Sequence, residues 1–206
     1  GTIGRPMFNL EIKIAEDGEL LVRGPSIMKG YWNDPQATDA AIDEEGWLYT
    51  GDIVTLTERG NLRITDRKKN IIVNSGGKNI APQPIETLLS QSIFVESVYL
   101  VGEQRDFLTA LIIPDFDRLK DLAANLGIKY SSVNELTLHP QVISAIQKDI
   151  DRFQSDLAKY ERVRKFALLS QPFSMESGEL TPKMSIRRHV VEHKYSALID
   201  QLYDMK

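Results

Sequence analysis

Hydrophobic spacing changes character once along this chain, at Asp66. Before it, apolar side chains recur at every second position. In NLEIKIAEDGELLVR (residues 9–23), Ile12, Ile14, Leu20 and Val22 fall on one face around Asp17-Gly18. That alternation fits extended strands and predicts a β-hairpin. WLYTGDIVTLTERGNLRITD (47–66) repeats the strand–turn–strand pattern, turning at Arg59-Gly60-Asn61. Between them, GYWNDPQATDAAI (30–42) reads as a turn at Asp34-Pro35 and a short helix from Pro35, with Tyr31 and Trp32 expected to pack. Residues 1–66 are therefore expected to be mostly antiparallel β.

Beyond Asp66 the apolar steps lengthen. NIIVN (70–74) is a short buried strand, and Pro82 and Pro84 fit only the first turn of a helix, where no amide proton is needed. Ile85, Leu88 and Leu89 give that helix its core face. VESVYLVG (95–102) and LTALIIP (108–114) read as paired strands, and DFDRLKDLAANLG (115–127) as a helix with aspartate at its start and Gly127 at its stop. From Pro140, the positions Ile143, Ile146, Ile150, Phe153 and Leu157 step by three and four, predicting a helix of about five turns. VRKFALL (163–169) is a third strand. Ile186, Val190, Lys194, Leu198 and Leu202 place a last helix, with Ser185 available as its N-cap. Residues 67–206 are thus expected to be α+β, about three strands packed with helices.

Composition narrows the function classes. The 206 residues are 42% hydrophobic and 26% charged, ordinary for a globular protein with a core, and the net charge is −4. That balance gives no bias toward nucleic acid, and the Arg67-Lys68-Lys69 and Arg187-Arg188 runs lack interleaved aromatics. There are no cysteines, which excludes disulfides and thiolate metal sites. His189 and His193 stand four apart on a predicted helix but have no third ligand nearby, so no metal site is expected. No apolar run approaches the roughly 20 residues that span a bilayer. No leader is visible, and the first residues read like the middle of a fold, so a piece of a longer protein is expected.

The stretch ITDRKKNIIVNSGGKNIAPQPIE (64–86) puts four charges, a Gly-Gly-Lys turn and a proline-marked helix start within a few residues. Its paired glycines, Gly76 and Gly77, allow close backbone approach to a ligand. The seven-residue spacing of a phosphate-binding P-loop is absent. Three other motifs share its order: GPSIMKGYWNDPQAT (24–38), GWLYTGD (46–52) and GELTPKMSIRR (178–188). Together the four strongly resemble the adenylate-forming enzymes, specifically the long-chain fatty acyl-CoA synthetases, and the resemblance covers the whole chain.

That resemblance implies the rest. Residues 1–66 would be the β-rich tail of a large N-terminal adenylation domain, and residues 67–206 the small mobile C-terminal domain. The family reaction joins a fatty acid to AMP, using ATP with magnesium, and then passes the acyl group to coenzyme A. The small domain rotates between the two halves. By motif position, Asp52 and Arg67 would bind the nucleotide, a carboxylate for the ribose diol and a guanidinium for ribose or phosphate oxygens. Lys69 would be the hinge. Gly76, Gly77 and Lys78 would line the coenzyme A channel. The adenylation lysine commonly stands three residues beyond the proline of LTP, where this chain has Ser185. Lys183 then takes the catalytic role through a shifted loop, or the role is weakened. Partners implied are fatty acid, ATP and coenzyme A, in the cytoplasm, with peripheral association to the inner face of a membrane left open. Such a piece alone is expected to be inactive. Two further readings stand beside this one: acyl transfer to a carrier-protein phosphopantetheine, and a non-catalytic interaction domain that kept the scaffold.

Overall fold

The structure, a computed structural model, describes residues 1–204. The chain is mixed α and β and forms two compact units. One is Gly1–Ile71 with Ala81–Pro84, the other Ile72–Ile80 with the chain from Ile85 onward.

In the first unit, β1 (Glu11–Ile14), β2 (Glu19–Arg23), β3 (Leu48–Leu56) and β4 (Leu62–Arg67) form an antiparallel sheet in that order. Both predicted hairpins are present. The first turns at Gly18, whose φ of +87° suits glycine. Leu20, Val54 and Leu62 form its small core, with Ile12, Ile14 and Val22 packed against them. Helix α1 (Pro35–Ala41) starts where predicted, capped by Asp34, whose Oδ1 accepts the Ala37 N–H at 2.9 Å. Tyr31 and Trp32 do not pack. They are 53% and 91% exposed, because α1 buries no residue and offers them no apolar surface.

In the second unit, β5 (Ile72–Val73) and β6 (Asn79–Ile80) make a ribbon, and α2 (Pro82–Leu89) belongs to this unit from Ile85 onward. The main sheet is β7 (Val95–Val101), β8 (Leu108–Pro114) and β9 (Val163–Leu168), in the order β7-β8-β9. β7 and β8 pair antiparallel, and β8 and β9 pair parallel. A parallel pair needs a crossover. It is made by α3 (Phe116–Asn125), α4 (Val133–Thr137) and α5 (Pro140–Phe153). Every residue of β8 is buried, and its alternation divides the core. Leu108, Ala110 and Ile112 pack with α2, α3, α4 and α5, while Leu111 and Ile113 pack with α6 (Arg188–Lys194) and α7 (Ser196–Asp204).

Two helix lengths differ from the spacing. The α5 helix stops at Phe153 because Gln154 turns its buried amide to the start of β9. Gln154 accepts the Val163 N–H at 2.8 Å and donates to the Val163 carbonyl at 3.1 Å. Leu157 still packs on the core, from outside the helix. The last helix is two, broken at Tyr195, and its N-cap position falls on Arg187, which makes no side-chain cap, rather than on Ser185. Among the described residues no helix is long and apolar enough to cross a membrane.

Candidate functional site

Asp52 and Arg67 are brought together by register. They are direct partners on β3 and β4, and Arg67 Nη1 lies 2.8 Å from Asp52 Oδ1. The strands are irregular just there. Between Glu19–Ile53 and Leu21–Tyr49, β2 has one residue and β3 has three, so Thr50, Gly51 and Asp52 bulge out of the ladder. Such bulges re-aim side chains next to active sites. Gly51 sits at φ +70°, and Thr50 Oγ1 donates to the Leu20 carbonyl at 2.7 Å. One oxygen of Asp52 takes Arg67, and the other has no partner among the described residues. The guanidinium is half exposed and keeps donors to spare. The pair can thus accept from a diol and donate to an anion on the same edge.

The four charges that follow have separate fates. Asp66 is buried, 1% exposed, and does not belong to a solvated cluster. Its Oδ1 accepts the Arg67 N–H at 2.7 Å and the Asn70 amide at 3.1 Å, and its Oδ2 accepts the Gln83 N–H at 3.0 Å. Pro82 and Pro84 have no N–H, so Asp66 caps the one first-turn donor that lies between them. Lys68 Nζ sits 2.7 Å from both Asp17 and Glu19. These carboxylates, Asp17 foremost, raise its pKa well above the ordinary lysine value. Lys69 lies in the 3-10 turn Lys68–Asn70, exposed and without a partner among the described residues.

The Gly-Gly turn links β5 to β6. Asn74 folds over it, accepting the Lys78 N–H on Oδ1 and the Gly77 N–H on its carbonyl, each at 2.9 Å. Ser75 Oγ donates to Asp106 at 2.6 Å. Gly77 needs to be glycine, with φ +72°. Gly76 does not have a positive φ, and a Cβ there would meet only Asn74 Oδ1 at 3.4 Å. The fold does not require glycine at 76, and Gly76, Gly77 and Lys78 form an exposed, open face.

Lys183 stands exposed at the tip of a tight turn. Leu180 and Ile186 bridge at its base and lean on the core. The Ser185 N–H donates to Thr181 Oγ1 at 3.1 Å, and Met184 takes φ +60°. Ser185 is held inside this turn, which is why it cannot cap the helix. Beneath lies Glu179, with a side chain 1% exposed. It accepts from Lys194 at 2.5 Å, from the Ser174 N–H at 3.1 Å and from the Ser177 hydroxyl. Burial pushes its carboxyl up, but Lys194 and these donors outweigh it, so the pKa falls below the ordinary 4.5. A depressed carboxylate stabilises the fold above its ordinary pKa, and the contribution is lost as pH falls through the folded value. Glu179→Gln should therefore cost about 1.5–3 kcal/mol at pH 7. The gap to the parent should close below about pH 4.5, measured by urea unfolding across pH. A gap that stays constant down to pH 3 would contradict this.

The structure brings Asp52 and Arg67 together. It places Lys69 two residues before the end of the first unit's main segment, and Gly76, Gly77, Lys78 and Lys183 in the second unit. Sequence reasoning missed Glu19, Asp66 and Glu179. No local signal marked Glu19: alternation put Leu20 and Val22 on the apolar face of β2 and left Glu19 on the other, which the structure also buries at Leu21. His189 and His193 are exposed, and no group of three His, Asp or Glu among the described residues is arranged to hold a metal.

The long-chain-fatty-acid–CoA ligase FadD15 of Mycobacterium tuberculosis is 38% identical over 99% of this chain and 34% of its own length. Long-chain-fatty-acid–CoA ligase 5 of Mus musculus is 36% identical over 93% of this chain and 28% of its own. The chain thus spans about a third of the length of such relatives. Among solved structures, the A domain of the carboxylic acid reductase of Segniliparus rugosus, in complex with AMP and a co-purified carboxylic acid, superposes with a TM-score of 0.73. It is 25% identical over 97% of this chain and 32% of that one. Residues 69–206 match the family described as AMP-binding enzyme C-terminal domain. The chain belongs to that family.

Proposed function

We propose that this chain is the C-terminal part of an AMP-forming ligase that activates long-chain fatty acids with ATP and transfers the acyl group to coenzyme A. The observation that carries the reading is the Asp52–Arg67 pair, presented by a β-bulge at a sheet end in a chain similar throughout to fatty-acid–CoA ligases. The fatty acid carboxylate attacks the α-phosphate of ATP, giving acyl-AMP and pyrophosphate. The coenzyme A thiol then attacks the acyl carbonyl and AMP leaves. Asp52 accepts the ribose hydroxyls, and Arg67 donates to ribose or phosphate oxygens while steadying Asp52. Residues 1–66 are read as the closing part of the large adenylation domain and 67–206 as the mobile domain, with Lys69 between them. The family match beginning at residue 69 and the unencumbered side chain of Lys69 support that division. Gly76, Gly77 and Lys78 offer an open face for the pantetheine arm. Magnesium accompanies ATP, and no ligand for it is assigned in this chain.

The test is Asp52→Ala in the full-length ligase that contains this segment. Hydrogen bonds to a charged group contribute about 1.5–3 kcal/mol, so the KM for ATP should rise by about 10- to 100-fold. The KM for coenzyme A should hold. An unchanged KM for ATP would refute the nucleotide assignment.

A further inference from the structure

Glu19 is an acid in the wrong place for an ordinary strand. It lies on β2 with 3% of its surface exposed, and both carboxylate oxygens are used. Oε1 accepts the Gly51 N–H at 2.8 Å, and Oε2 accepts Lys68 Nζ at 2.7 Å. Gly51 immediately precedes Asp52, and Lys68 immediately follows Arg67. One buried carboxylate therefore grips the residues flanking the Asp52–Arg67 pair, one on each strand.

Stability alone does not account for this choice. A buried ion pair is often no better than apolar side chains of the same volume. What the carboxylate supplies is geometry. The bulge takes Gly51 out of the β2–β3 ladder, and Glu19 supplies its N–H with an acceptor while the glycine holds φ +70°. Lys68 is clamped between Glu19 and Asp17, which fixes the end of β4 one residue before Lys69. We infer that Glu19 is a positioning residue, one that sets Asp52 and Arg67 for the nucleotide by pinning both strand ends with one carboxylate. The inference rests on the reading that this pair holds the nucleotide.

Glu19→Gln in the full-length ligase tests it. The glutamine carbonyl still accepts from Gly51, but the amide cannot hold the Lys68 ammonium. The KM for ATP should rise about tenfold, with the KM values for fatty acid and coenzyme A unchanged. Lys68→Met, which removes the other partner from a half-exposed site, should do the same. The double variant should be no worse than either single one, because the two act as a unit. A melting temperature that falls while the KM for ATP stays put would make Glu19 a stability residue only and overturn the inference. Should Glu19→Gln not fold, an unchanged KM for ATP in Lys68→Met overturns it equally. Asp52→Ala separates the two claims. If it raises the KM for ATP and Glu19→Gln and Lys68→Met do not, positioning fails and the nucleotide assignment stands. If none of the three does, the nucleotide assignment has failed and this inference falls with it.

Discussion

Lys183→Ala in the full-length ligase should slow acyl-AMP formation by about 10²–10³-fold, the usual cost of removing one donor aimed at developing charge. A compact ammonium suits the α-phosphate, where negative charge builds as the carboxylate attacks. Position supports the choice. The turn Thr181–Ser185 is closed by hydrogen bonds at both ends, its base leans on the core through Leu180 and Ile186, and its exposed tip carries Lys183. An anchored loop with a free cation at its apex can deliver that cation without reorganising. The defect should be confined to adenylation. Thioester formation from supplied acyl-AMP should survive if, as proposed, the small domain has by then rotated and carried the loop away. In a Lys183→Ala background, Ser185→Lys should restore adenylation if only the position of the lysine has moved along the loop. Adenylation at the parent rate in Lys183→Ala would remove Lys183 from the site.

Lys69→Pro should have the second large effect, and an unequal one. Proline fixes φ near −65° and disfavours helical geometry at the preceding residue, here Lys68 of the 3-10 turn. A joint that must adopt two backbone states would be held near one. One half-reaction should slow far more than the other, in single-turnover assays of acyl-AMP formation and of thioester formation. Among the four neighbouring charges the structure sets Lys69 apart. Asp66 caps a helix, Arg67 pairs with Asp52 and Lys68 is held by two carboxylates, so among the described residues Lys69 alone of the four has no side-chain partner to lose, and torsion there would part Asp66 from Asn70 and Gln83. Equal loss in both halves, or no loss, would argue against a hinge here.

The sequence displayed what is local. Alternation placed both hairpins, prolines placed the starts of α1, α2 and α5, and Gly127 marked the end of α3. Motif position singled out Asp52 and Arg67 as candidates, and register makes them partners. What stayed hidden depends on distant residues. Glu19 and Lys68 are 49 positions apart, and nothing near either announces the other. The burial of Asp66 was not legible because its helix partner comes 17 residues later. The four-residue step from Ile186 to Leu202 is real, yet the chain breaks at Tyr195, whose ring packs against Phe173 at 6.2 Å and whose hydroxyl reaches Glu179 at 3.3 Å. The spacing along a helix does not report such a tether.

As proposed, this segment completes an enzyme that adenylates fatty acids. Exchange of labelled pyrophosphate into ATP, run on the full-length ligase with a panel of fatty acids and without coenzyme A, tests it most directly. Exchange should depend strictly on a long-chain fatty acid and should be absent from the 206-residue chain alone. A folded full-length protein that exchanges with no fatty acid, or exchange by this chain alone, would refute that reading.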